Sequence, residues 1–205
     1  MTDQSTVSRN KNQFGISAIF WVTFTFGLGL SYLQRMRAQD VVVGGLISLA
    51  IGMVCGAVIG WLAKRLADGF FWGTLISVFG YVSVVGISNY DLGLRLAWAT
   101  VGALTGAISG TMLDRNAKAP IQRSDFKVCL MAAAAAFVTM FGYATFGRMT
   151  FDLNLDKYGA PLIGIAVVFF VKLILWVENQ HLMPRYITAT WLLVIILVGN
   201  TFTNW

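Results

Sequence analysis

Charge is scarce in this chain of 205 residues: nine acidic and 15 basic side chains make up 12% of it, against 57% hydrophobic residues. Soluble domains carry about 25% charged residues, so this composition, with a mean hydropathy of +0.71, excludes a water-soluble fold. Histidine occurs once, as His181, and cysteine only as Cys55 and Cys129. With one histidine there is no bis-histidine haem site and no HExxH metal centre. Two cysteines, both in apolar runs, supply neither a zinc ligand set nor a disulfide framework. They read as small core residues.

What the chain has in quantity is long apolar runs. Each membrane span uses about 20 residues, and such runs lie at Phe14 to Leu33, Val41 to Ala63, Gly69 to Ser88, Leu94 to Leu113, Phe126 to Phe146, Ala160 to Val177 and Tyr186 to Phe202. The expected fold class is therefore all-α, a polytopic integral membrane bundle of about seven transmembrane helices. None of the runs alternates with period two, as a membrane barrel would require. The second and third spans are parted only by Lys64, Arg65 and Asp68, charges that resist burial in hydrocarbon and so mark a tight turn. The first run is longer than the apolar region of a usual signal peptide and no small-x-small site follows it, so it is read as a span and not as a cleaved leader. Residues 1–13 are polar, without apolar periodicity, and read as a disordered tail. Residues 14–205 form one transmembrane domain.

Basic residues set the expected orientation. The first tail and every second loop collect Arg9, Lys11, Lys64, Arg65, Arg115, Lys118, Arg123, Lys127 and Arg185, whereas the other side holds Arg35, Arg37, Arg95, Arg148 and Lys157. Nine against five puts the N-terminus in the cytoplasm and the C-terminus outside, in a plasma or inner membrane. Arg115, Lys118, Arg123 and Lys127 sit on that inner side and are candidates for contact with anionic headgroups, each worth about 1 kcal/mol. The basic balance thus points to a lipid surface. Nucleic acid would need a soluble basic face interleaved with aromatics, which the sequence lacks. Trp61, Trp72, Trp98, Trp176, Tyr186 and Trp205 lie near span ends and read as interfacial belts.

The most distinctive pattern is a row of small residues at every fourth position. Gly44, Ser48, Gly52, Gly56 and Gly60 mark one face of the second span, and Gly102, Gly106 and Gly110 mark one face of the fourth. Bare faces of this kind let another backbone approach closely, the usual basis of helix association in lipid. The two rows are offset by fifty residues, with Arg65 and Arg115 at their ends. That register suggests a parallel repeat of spans two and three in spans four and five; convergent drift of packed helices toward small residues explains the same pattern.

Chemistry is sparse. No predicted span contains histidine, aspartate or glutamate, which argues against intramembrane proteases and proton relays. Lys172 is the one basic side chain left inside a span once the others are assigned to the tail and loops. It is a candidate gate or anion site, or a lysine whose ammonium runs along lipid to the headgroups near Trp176. Asp152, Asn154 and Asp156 copy the start of a calcium loop, but Lys157 replaces its glycine and Ile163 its bidentate glutamate, so no metal is expected. Thr100, Thr105 and Ser109, Ser77 and Ser83, and Thr139 are the polar groups available to line a path.

No catalytic residue and no cofactor is expected, and the chain is not read as an enzyme. The expected function is a structural or assembly component whose glycine faces dock its own copies or a larger membrane complex; the alternative is a passive permease or channel for a small solute.

Overall fold

The computed structural model describes residues 39–85, 92–114, 122–146 and 153–179. It contains five helices and, among the described residues, no strand: α1 (Gln39–Leu62), α2 (Leu66–Val85), α3 (Leu92–Met112), α4 (Arg123–Phe146) and α5 (Leu153–Asn179). All five are long and apolar enough to cross a membrane, since 20 residues of helix rise about 30 Å, the thickness of the hydrocarbon layer. They correspond to the second through sixth predicted spans. The tail 1–13, the first and seventh predicted spans, and the loop residues Arg115 and Lys118 lie outside the described residues.

The turn between α1 and α2 is only three residues long. Lys64 adopts the left-handed conformation with φ 56°. Its N–H bonds to Trp61 O at 3.0 Å, and Arg65 N–H reaches back to Gly60 O at 2.7 Å. This pair of bonds is the Schellman closure, which satisfies the last carbonyls of a helix, and it usually places glycine where Lys64 stands. The Arg65 carbonyl then accepts from Asp68 and Gly69 N–H, starting α2. Two helices joined so tightly must lie antiparallel and in contact along their length.

That contact runs over glycine on both sides. A methyl group at Gly52 would stand 2.7 Å from Thr74 Cα, and one at Gly60 2.9 Å from Leu66 Cα; at Gly56 it would strike the Gly69 carbonyl. The opposing glycines answer in kind, because a methyl at Gly73 would lie 2.8 Å from Gly56 Cα. Ser48 belongs to the same face and is fully buried. Its carbonyl accepts the Ser77 hydroxyl of α2 at 2.7 Å, a hydrogen bond between helices that lipid cannot compete for.

The second row faces the other flank of the same helix. A methyl at Gly102 would meet the Ile76 carbonyl, one at Gly106 would lie 2.6 Å from the Trp72 carbonyl, and one at Gly110 would strike the Trp72 ring. Helix α2 is therefore clasped between the two rows, and α3, with 14 of its 21 residues buried, is the centre of the bundle. The first row meets the helix that follows it in the chain; the second meets the helix that precedes it. Gly80 and Gly142 also differ in setting: Gly80 abuts the Trp98 carbonyl, and nothing comes within 4 Å of a methyl at Gly142.

Helices α4 and α5 form the other side, joined where Gly164 approaches the Ala132 carbonyl and tied to α2 through the edge-to-face pair Phe79 and Phe170, 6.2 Å between ring centres. One apolar cluster gathers Trp72, Ile108, Leu113, Val128, Val168 and Val171 near the Lys64 turn. A second gathers Val84, Leu94, Trp98, Ala136 and Met140 at the opposite end. Large apolar side chains point outward instead: Val54, Val58 and Trp61 on α1, Phe126, Leu130 and Val138 on α4, and Leu162 and Leu173 on α5 are all exposed. Large apolar side chains on the outer surface suit lipid, because burial away from hydrocarbon brings no hydrophobic gain.

Trp72 and Trp98 depart from the expected interfacial belt. Trp72 is 0% exposed and Trp98 7%, so both rings are core. Trp61, 73% exposed, does sit on the outer surface.

Replacing Gly56 by alanine should push α1 off α2 and destabilise the fold by about 1–3 kcal/mol, as overpacking does. Gly142→Ala should leave stability unchanged or slightly raised. Thermal melts of both variants in one detergent check the contrast, and equal melting temperatures would refute the close approach at Gly56.

Candidate functional site

The charged groups gather at the end of the bundle that carries the Lys64 turn. There α1 ends, α2 begins, α3 ends, α4 begins and α5 approaches its C-terminus, so carbonyl ends and N–H ends of helices alternate across one face. The two aspartates present here were expected outside the spans. Helices α2 and α4 each start three residues earlier than predicted, which brings Asp68 and Asp125 into their first turns. An acidic group there is favoured by the unpaired N–H groups of the helix start. The Asp125 carboxylate accepts the Gln122 N–H at 2.9 Å, the carboxylate half of a capping box, while Asp125 N–H donates to the Gln122 backbone carbonyl at 3.0 Å.

Lys172 is the partner of that carboxylate. Its ammonium stands 3.0 Å from one Asp125 oxygen and 3.2 Å from the other, with both side chains less than a tenth exposed. The expectation that Lys172 reaches the headgroups along lipid is overturned: the ammonium is inside the protein, held by a carboxylate 47 residues away in sequence. A gate or anion site at Lys172 would have to displace Asp125 first. The sequence signal that could have placed Asp125 inside the helix is an acidic residue just before an apolar run, where a first turn favours it; no local signal pairs it with Lys172.

Arg65 makes a second tie at this end. Its guanidinium donates to the Thr111 and Leu113 carbonyls at 2.6 and 3.0 Å, and to Asp68 at 3.1 Å. The last carbonyls of α3 have no partners within their own helix, and a cation beside them is favoured by the dipole. Arg65 thus bolts the α1–α2 turn onto the end of α3. Of the proposed headgroup contacts, Arg123 and Lys127 are exposed, one turn apart on α4 and flanked by the exposed Phe126 and Leu130.

The hydroxyls available to line a path bond to backbone carbonyls instead. Thr100 donates to Leu96 O, Thr105 to Val101 O, Ser109 to Thr105 O, Thr139 to Ala135 O and Ser83 to Phe79 O, at 2.6–2.9 Å. Ser77 is used between helices. Thr105, Ser109 and Ser77 are fully buried. Cys55 and Cys129 are free thiols. No group of three His, Cys, Asp or Glu that could hold a metal exists among the described residues. Asn154 and Asp156 fall within α5. Comparison of the chain with protein-family models, with curated proteins and with solved structures finds no match.

Breaking the buried pair from one side should be severe. Asp125→Asn or Lys172→Met alone should destabilise by about 3–5 kcal/mol, because each leaves a buried partner uncompensated, whereas the double variant Asp125→Leu with Lys172→Met should recover most of that loss. A double-mutant cycle in detergent thermal melts checks this. Additive losses would show that the two groups do not interact.

Proposed function

We propose that the chain is a non-catalytic structural or assembly component of a plasma or inner membrane. In this reading Phe14–Leu33 and Tyr186–Phe202 complete a bundle of seven spans, with the N-terminus in the cytoplasm and the C-terminus outside. The observation that supports it is the use of the core hydroxyls. Ser77, Ser83, Thr100, Thr105, Ser109 and Thr139 each donate to a carbonyl of their own or a neighbouring helix, an arrangement suited to a dry, close-packed core, while Thr74 Oγ1 has no acceptor among the described residues. A passive permease or channel, the competing reading, needs a stripe of polar groups turned toward water.

The glycine rows serve this reading differently from the way their sequence suggests. Both are occupied by α2, so neighbours would be met through the large apolar faces of α1 and α4. A shared partner is compatible with the fifty-residue spacing of the rows, whether it arose by a parallel repeat or by convergence on small residues. Arg123 and Lys127 would hold the inner end of α4 at anionic headgroups.

Gentle solubilisation followed by native mass spectrometry should return a homo-oligomer or a complex with other membrane proteins, and a single monomeric species under all mild conditions would refute assembly. Solute flux through proteoliposomes of the purified chain would favour the permease instead.

A further inference from the structure

Helix α1 is the least buried of the five. It packs on α2 and α3 by the face that carries its glycine row, and its other side carries a second regular row: Val43, Ile47, Ala50, Val54, Ala57 and Trp61. The steps between these residues alternate four and three, the spacing of a left-handed helix seam. Val43, Ile47, Val54 and Trp61 are exposed, as is Ala50, while Ala57 is half-buried. A face that meets only lipid needs no such period. Nor does it need small residues at Ala50 and Ala57, one heptad apart, where another helix could come close.

The lengths of chain outside the described residues decide what can lie there. Residues 86–91, 115–121 and 147–152 are each too short to cross a bilayer, which takes about 20 residues. Residues 1–38 and 180–205 are long enough. The apolar run 14–33 ends five residues before α1 starts at Gln39, and helices joined by so short a link are antiparallel neighbours. The glycine face of α1 is already filled, so the outward row is the face open to that run. The run 186–202 follows α5, which packs on α3 and α4 and not along α1. Helix α4 has an exposed face too, but its neighbours in the chain are α3 and α5, so neither run is tethered to it. Setting Leu33 beside Val41, where one run ends and the next begins, brings Ser31, Gly27, Phe24, Phe20 and Ser17 opposite Val43, Ile47, Ala50, Val54 and Ala57 in turn. Gly27 then faces Ile47 and Phe24 faces Ala50, small against large, as interdigitating layers require. We propose that the outward face of α1 is the docking surface for the chain's own residues 14–33, packed antiparallel along the row from Val43 to Trp61. The inference rests on the reading of that run as a span, and it narrows the surface left for other proteins to α4.

Cysteine pairs in the full chain, reconstituted in lipid with Cys55 and Cys129 replaced by alanine, test the docking. Under copper phenanthroline, Ala50→Cys should close a disulfide within one chain when paired with Phe24→Cys or Gly27→Cys. It should fail with Val22→Cys or Phe26→Cys, which fall on the other face of a helix, because a disulfide needs Cβ atoms about 4 Å apart. Val54→Cys with Phe20→Cys repeats the test with different substitutions. Closure confined to these facing positions supports the docking. Equal closure at all positions, disulfides only between copies, disulfides only with Trp191→Cys of the run 186–202, or none with either run would each overturn it. Disulfides between copies would still support assembly, and an absence of any would leave assembly to α4, so the two readings fail separately.

Discussion

The close approach of backbones across α2 is the constraint on which the rest depends. In lipid, apolar side chains gain nothing by leaving the surface, so association rests on van der Waals contact and hydrogen bonds between helices. Glycine supplies that contact by allowing carbonyls and Cα atoms of neighbours to touch. Gly52, Gly56 and Gly60 hold one flank of α2, and Gly102, Gly106 and Gly110 the other. A helix clasped on both sides places α3 at the centre and leaves the bulky residues of α1 and α4 to face outward.

Charge enforces the same arrangement at one end. Arg65 joins the α1–α2 turn to the last carbonyls of α3, and Asp125 with Lys172 joins the start of α4 to the last third of α5. Both ties link elements distant in sequence, and both rest on helix ends, where unpaired N–H or C=O groups make a charged side chain favourable. The Lys64 turn, closed by two backbone bonds in spite of its left-handed lysine, sets the register from which Arg65 reaches α3. At the opposite end, Arg95 Nε and Trp98 Nε1 are buried without an acceptor among the described residues.

The helices themselves were legible because each is a local pattern. Val41 to Ala63 corresponds to Gln39–Leu62, and Leu94 to Leu113 to Leu92–Met112; apolar length decides the span and a charged break decides its end. Hydropathy sets the starts of α2 and α4 three residues late, at Gly69 and Phe126 against Leu66 and Arg123, since it ends where charge begins while the helix continues into its cap. That small displacement hid Asp68 and Asp125 from the interior. Trp72 and Trp98 escape a sequence reading for a related reason: position along a span says how deep a ring lies, and nothing about whether its face of the helix meets protein or lipid.

Composition and run length alone determined that the described chain is helical and suited to a bilayer, because every backbone polar group in lipid must be satisfied within its own segment. Glycine spacing likewise announced that bare faces exist. Which helix fills them was decided only in three dimensions, where both rows settle on α2. The partner of Lys172 was decided there too, since two residues 47 apart meet only after α4 and α5 have packed, and a charge in a low-dielectric interior takes whatever counter-charge that packing delivers.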